Sequence, residues 1–323
     1  MTDGSRAAEV GRGIMSDEPM EAYFRDLIRV EGRGAAGLRA RVMFPPELQG
    51  PPATGHGGGV TAMLFELLRL LVGEQGGEAR IGRPVRIETV IHHAVPLEEP
   101  LQGEVARCDD AWVSRLLRGD RLVAEAAIRP AAEGLREPSD AERRRWQAAM
   151  AGGFELPGYR YCLACGLENP RGVHARFECT DALVWKRLTP RPHFACADGS
   201  LFHAFLTVVC DEVGWWLGAL RQGECGLSSR VTVWLAGSVP AGSPLLALGP
   251  RDTVTGTDPK GRLWQTRSLV VGPDWSPVAA AEVQFAGSRA FTKTMLPLFL
   301  PGSDPTALGR VFPRYRVGEG RSA

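Results

Sequence analysis

Three groups of residues have types and spacings that suit chemistry. The first is Gly55-His56-Gly57-Gly58-Gly59, followed at once by the apolar run 63–72. This predicts a loop feeding directly into a buried helix. The first turn of a helix has free N–H donors and a partial positive charge. A carbonyl oxygen turning into an oxyanion is stabilised there, glycines let it approach the backbone, and His56 can orient it. A helix start packed under a sheet, with no ligand, explains the same residues. The second group is Asp211-Glu212, set in an apolar stretch between Val208-Val209-Cys210 and Val213. Carboxylates buried there are costly without partners. A functional role and a structural hydrogen bond both account for them. The third is Cys162-x-x-Cys165 with His193-x-x-Cys196, a spacing that suits zinc.

The elements that must position these groups come in two similar sets. Alternation of apolar and charged residues predicts strands at 37–44, 85–91, 102–107, 112–118 and 122–128, with a short helix at 21–28 before them. The long helix follows the first strand and ends near Gly76. The second set has strands at 173–177 and 182–188, a helix at 199–220, and strands at 229–235, 245–248, 263–271 and 278–285. Between the sets, Ser139-x-x-Glu142 marks a helix start, and Arg143 to Arg145 read as a solvated face. Pro96-x-x-x-Pro100-Leu101 has an echo in Pro240-x-x-x-Pro244-Leu245, an offset of 144 residues, and Glu66 and Glu212 are 146 apart. Two markers at nearly one spacing argue for an internal duplication.

Composition excludes several classes. The chain has 323 residues, enough for two ordinary domains. A net charge of +1 gives no electrostatic argument for nucleic acid or an anionic membrane. No apolar run approaches the roughly 20 residues of a membrane span, and the N-terminus lacks the apolar core of a secretory signal. Seven cysteines, an odd number, do not suggest a disulfide scaffold, so a reducing cytoplasm is expected.

Three motifs carry a family resemblance. His56-Gly57-Gly58 resembles the HGG turn at the helix start of PaaI-type acyl-CoA thioesterases. Pro96-x-x-x-Pro100-Leu101 and its repeat are similar to a second feature of that group. Cys162-x-x-Cys165-Gly166-x-x-Asn169-Pro170-x-Gly172 resembles its CxxCGxxNPxG opening. The resemblance implies an α+β protein of two tandem hotdog domains, each a long helix wrapped by an antiparallel sheet, paired within one chain as a pseudo-dimer. The expected divisions are a disordered leader at 1–18, a domain at 19–130, a linker with a helix at 131–157, a second domain at 158–290, and a tail at 291–323 wrapping the surface.

Such helices lie side by side, and the family builds its site from the helix start of one domain and a helix carboxylate of the other. Glu66 lies ten residues after His56, about 15 Å along a helix, too far to serve its own helix start. The site must therefore be read crosswise. His56, Gly57 and Gly58 face Asp211, with Glu212 beside it. The opposite site pairs Phe202 and His203 with Phe65 and Glu66 and looks degenerate. Gln49 and Asn169 lie near the expected site loops as candidate substrate-binding residues. The family's CxxCG turn implies no metal, and no cofactor is expected. The implied function is hydrolysis of an acyl thioester, acyl-CoA or acyl-carrier, with Asp211 as base or nucleophile. A non-catalytic acyl-CoA-binding or scaffold protein is the main alternative, and a hotdog dehydratase ranks below both. A homodimer of such chains is the expected assembly.

Overall fold

The computed structural model describes residues 18–34, 37–73, 84–131 and 135–315. Nearly all of the expected leader, and the helix end placed near Gly76, lie outside these residues. The first half runs α1 (Met20–Asp26), β1 (Ile28–Gly34), β2 (Gly37–Val42), α2 (Gly57–Gly73), β3 (Val85–Ile91), β4 (Leu101–Cys108), β5 (Ala111–Arg118) and β6 (Arg121–Pro130). After α3 (Asp140–Ala149), the second half runs β7 (Phe154–Glu155), β8 (Glu178–Cys179), β9 (Leu183–Leu188) and α4 (His203–Gln222). It continues with β10 (Gly226–Leu235), β11 (Leu245–Pro250), β12 (Thr255–Gly256), β13 (Leu263–Val271), β14 (Pro277–Gly287), α5 (Arg289–Phe299) and α6 (Pro305–Val311).

The strands form one antiparallel sheet, ordered β1-β2-β4-β5-β6-β3-β10-β14-β13-β11-β9-β8-β7, with β12 added on β13. Read inward from each side, β2-β4-β5-β6-β3 matches β9-β11-β13-β14-β10. The two halves join where β3 pairs with β10, from Val85 opposite Leu235 to Val90 opposite Arg230. The single-residue bridges repeat as well. Gln49 pairs with Gly55 and Ala195 with Leu201; Thr54 pairs with Pro96 and Ser200 with Pro240. The duplication seen in the proline motifs is therefore a duplication of pairing.

Inside the curved sheet lie α2 and α4. Residues 58–68 and 203–214 are buried without a break, as expected of helices that are apolar on every side. Their contact is antiparallel. Gly58 faces Thr207 and Val208, and His203 reaches the Ala62 carbonyl at 3.3 Å. A Cβ on Gly58 would stand 2.6 Å from the Val208 Cα. This glycine is needed for backbone-to-backbone packing.

The structure departs from the expected elements in three places. Ile28–Gly34 is a strand, missed because only Ile28 of it is buried, which leaves no alternation to read. Residues 173–177 form no strand, although Val173, Ala175 and Phe177 are buried. The chain after Leu296 is not a surface wrap: α5 and α6 place Phe299, Leu308, Val311 and Phe312 in the core. The linker helix α3 has the expected capping box from Ser139 and Glu142. Its Trp146 packs on Leu183, Trp185 and Leu248 of the second half.

Candidate functional site

The start of α2 and the middle of α4 meet at a buried polar cluster. The Gly58 N–H donates to Asp211 Oδ2 at 2.7 Å, and the Ser228 hydroxyl donates to Asp211 Oδ1 at 2.7 Å. Gly57 allows this approach, since a Cβ there would lie 2.7 Å from the same Asp211 oxygen. His56 spans both acids. Its Nδ1 is 3.3 Å from Asp211 Oδ2 and 3.1 Å from the Gly58 nitrogen, and its Nε2 is 3.2 Å from Glu212 Oε2. The Trp216 indole N–H donates to the other Glu212 oxygen at 3.0 Å. His56 and Asp211 are each 3 % exposed and Glu212 is 6 % exposed. The crosswise set of His56, Gly57, Gly58, Asp211 and Glu212 is thus brought together in space.

Two cysteines join it. Cys162 lies close enough to His56 and Glu212 that one polar atom from each of the three falls within 4.8 Å of the others. The Ala164 N–H points at the Cys162 sulfur at 3.4 Å. A hydrogen bond from Cys165 holds the Cys162 thiol down to about 6 against the effect of burial, with His56 assisting. Cys165 is pushed well above the usual thiol range by the same bond and by burial, so it keeps its proton. Burial alone would lower the His56 pKa, but Cys162 and Glu212 carry it well above its ordinary value. Burial raises the Asp211 carboxyl, opposed by His56, Ser228 and Gly58.

This cluster forms the floor of a cavity of about 230 Å³. Trp215, Trp216, Met295 and Phe299 supply apolar wall, and His92 and His93 stand at the exposed rim. One end is therefore charged and the walls are greasy, a common form for ligand sites.

The opposite crossing is built differently, and its cavity of about 330 Å³, lined by Arg69, Cys196, Ser200, His203 and Ser238, does not include Glu66. Phe24 of α1 packs edge-on against Phe202 at 5.3 Å, and Phe65 packs on His203 at 4.9 Å. Glu66 is fully buried and bonded to Arg69 at 2.8 Å and Arg25 at 3.3 Å, while His203 Nε2 lies 3.9 Å from it. Aromatic packing and an ion network thus hold Glu66, which does not line that cavity.

The two expected substrate-binding residues do not line the cavity. Asn169 donates to the Glu47 and Tyr161 carbonyls and accepts from the Arg171 N–H, which uses its amide to tie the cysteine turn to the first half. Gln49 acts through its backbone, accepting from the Leu163 N–H at 2.7 Å. The expected cysteine and histidine pairs do not converge either. His193 stacks on Phe194 and is surrounded by Arg191, Arg171 and His174, which with burial lower its pKa to about 4. Cys196 lies near Glu21 and Arg69.

Solved structures share this architecture. A conserved protein from Alicyclobacillus acidocaldarius, described as having a hot dog fold, superposes with a TM-score of 0.51 at 14% identity, covering 82% of this chain and 98% of its own. This chain has the hotdog fold. A protein assigned as a thioesterase II from Thermobifida fusca matches with a TM-score of 0.53 at 13% identity, covering 82% and 98%. The dehydratase domain from the CurJ module of the curacin polyketide synthase matches at 0.55 and 9%, again over 82% and 98%. No protein-family profile and no curated protein matches the sequence.

Within this hotdog frame, sequence reasoning missed four contributors to the site. Ser228 is aimed at Asp211 by a bulge between Ser228 and Arg230 in the β10–β14 pairing; the adjacent serines interrupting a strand were its only signal. Trp216 is four residues after Glu212, the spacing at which helix side chains meet. Met295 and Phe299 arrive from the tail and left no legible signal.

Proposed function

We propose that this chain hydrolyses acyl thioesters, of CoA or of a carrier protein, at the composite site between its two hotdog halves. The observation that carries the reading is the hydrogen bond from Gly58 N–H to Asp211. It puts the positive end of the first half's helix and a buried carboxylate of the second half at one point of one cavity. A thioester carbonyl bound beside them has donors for the oxyanion in the α2 N–H groups and His56. Asp211 takes the proton of an attacking water, or attacks the carbonyl itself. The C–S bond then breaks, and the sulfur leaves with the proton that Asp211 took from water; on the direct-attack route it leaves as thiolate, and water then cleaves the acyl-Asp211 anhydride to free the acid and supply the thiol proton. The apolar walls suit the acyl chain. Seven free cysteines fit the reduced cytoplasm, where acyl-CoA is found.

The test is a panel of acyl-CoAs of increasing chain length, read as free thiol, with Asp211→Asn as control. A second reading has a specific observation in its favour. His56 and Asp211, one from each half, stand 3.3 Å apart, and a dehydratase domain shares the fold. Loss of water from a 3-hydroxyacyl thioester would need one to take a proton and the other to release hydroxide as water. Enoyl-thioester absorbance without free thiol would select that reaction. Tight binding of acyl-CoA with neither product would leave a binding or scaffold role.

A further inference from the structure

We propose that His56, Cys162 and Glu212 form a binding site for a zinc-class divalent cation, with the fourth position open to the cavity. The proposal does not depend on which reaction the cavity supports. The ligand types are an imidazole, a thiolate and a carboxylate, the mixture that zinc accepts in sites with three protein ligands. Ligand atoms about 2.0–2.3 Å from a tetrahedral ion stand about 3.3–3.7 Å from one another. His56 Nε2 and Glu212 Oε2 are 3.2 Å apart, and the Cys162 sulfur completes a set within 4.8 Å.

Each ligand also has the outer partner that metal ligands usually have. Asp211 Oδ2 faces His56 Nδ1 at 3.3 Å, so a ring donating there presents a bare Nε2 to an ion. The shorter bond from Gly58 N–H goes to Asp211 at 2.7 Å, leaving that tautomer open. Trp216 holds Glu212 Oε1 at 3.0 Å and leaves Oε2 as the free oxygen. Ala164 N–H supports the Cys162 sulfur at 3.4 Å. These partners come from α2, α4 and the cysteine turn, three segments that a bound ion would lock together.

The charge count points the same way. Asp211, Glu212 and the Cys162 thiol share the cavity floor, and among the described residues lining it no lysine or arginine is present. Among the described residues lining the cavity, His56 is the basic side chain that reaches both acids, while His92 and His93 stay at the exposed rim. Buried anions in excess are costly, and a divalent cation balances them. The opposite crossing handles the same problem differently, with Arg25 and Arg69 on Glu66.

The experiment uses the whole chain, purified without chelators, loaded with Zn²⁺, freed of loose metal by gel filtration and assayed by elemental mass spectrometry. About one ion per chain is expected, with Cys162→Ser lowering affinity at least about tenfold, the scale seen even for outer-shell changes. Cys108→Ser, at the exposed cysteine, should leave binding unchanged. Co²⁺ titration of the unaltered chain should give a thiolate-to-cobalt charge-transfer band, which Cys162→Ser abolishes and Cys108→Ser does not. Zinc well below one ion per chain, absence of the band, or equal binding by Cys162→Ser overturns the proposal. Should Cys162→Ser fail to fold by circular dichroism, the cobalt spectrum of the unaltered chain and of Cys108→Ser decides alone.

Discussion

Asp211→Asn is the perturbation that separates charge from structure at this site. The carboxylate accepts two hydrogen bonds, from the Gly58 N–H on one oxygen and from the Ser228 hydroxyl on the other. Asparagine retains one acceptor. The Gly58 N–H is fixed and can only donate, so the amide oxygen must face it. The amide NH₂ then meets Ser228 Oγ, which can rotate to accept. Both contacts survive, and the change is nearly isosteric. What is lost is the negative charge and its basicity. Removing a general base costs about 100- to 10,000-fold in rate, or roughly 3–5 kcal/mol of transition-state stabilisation. Stability should move the other way. Burial raises the Asp211 pKa, so holding it ionised at neutral pH costs folding energy, which asparagine relieves. The expected signature is a large fall in thioester turnover with an unchanged or raised denaturant midpoint. The assay is free-thiol release on one substrate that turns over, with urea unfolding of both proteins. Activity within about threefold of the unaltered chain would refute the assignment of Asp211 as base or nucleophile. Loss of activity together with stability would show that the residue is structural.

Gly57→Ala and Gly58→Ala should part company. A Cβ at Gly57 meets the Asp211 carboxylate at 2.7 Å, so it should lower kcat with little change in the unfolding midpoint. A Cβ at Gly58 meets the Val208 backbone and should cost about 1–3 kcal/mol of stability through overpacking, measured by urea denaturation. Glu66→Gln should change turnover by less than about threefold, since Glu66 is bound to Arg69 and Arg25 and does not line the opposite cavity; a larger loss than Asp211→Asn would move the active site there. Its stability effect should depend on pH in a set direction. Burial raises the Glu66 carboxyl above its ordinary value, outweighing Arg69 and Arg25. The folded state therefore binds this proton more tightly. Stability from that group is full below the unfolded pKa and is lost as pH rises through the folded one. The native chain should lose stability relative to Glu66→Gln over that rise, and a relative gain would mean that the arginines dominate. Trp216→Phe removes the donor to Glu212 Oε1 and should weaken zinc binding about 10- to 100-fold, as outer-shell losses do, read by competition with a chromophoric chelator.

How much of this was legible in the sequence depended on whether the signal was local. Strands β3 to β6 and β10 to β14 alternate or repeat, and the duplication fixed which pairs were equivalent. The crosswise meeting of His56 with Asp211 and Glu212 was implied by the family resemblance, and helix length agreed with it, because about 15 Å of rise keeps Glu66 from its own helix start. The strand β1 was hidden by its exposed residues, and the tail was hidden because Pro and Gly around 297–302 resemble a loop although Phe299 and Phe312 are buried.

The cysteine turn shows why spacing along the chain does not by itself make a ligand set. Cys162-x-x-Cys165 and His193-x-x-Cys196 form a plausible ligand set along the chain, but the fold sends the second pair to the α1 side, among arginines. The duplication explains where the turn went. Shifted by 146 residues, α1 at Met20–Asp26 corresponds to 166–172, the end of the cysteine turn. Each segment covers the start of one central helix. On one side the cover brings Phe24, which packs on Phe202, and Arg25, which pairs with Glu66. On the other it brings Cys162 and Cys165, which leave a cavity and add acid to acid. Position 171 already holds an arginine, bound to Glu18 at 2.6 Å, so the contrast between the covers lies in the ring of Phe24 against the two cysteines. Placing a ring on the cysteine side, as Cys165→Phe, should fill the cavity and abolish both turnover and cobalt binding. Retention of either would show that the covers do not decide which crossing takes a ligand.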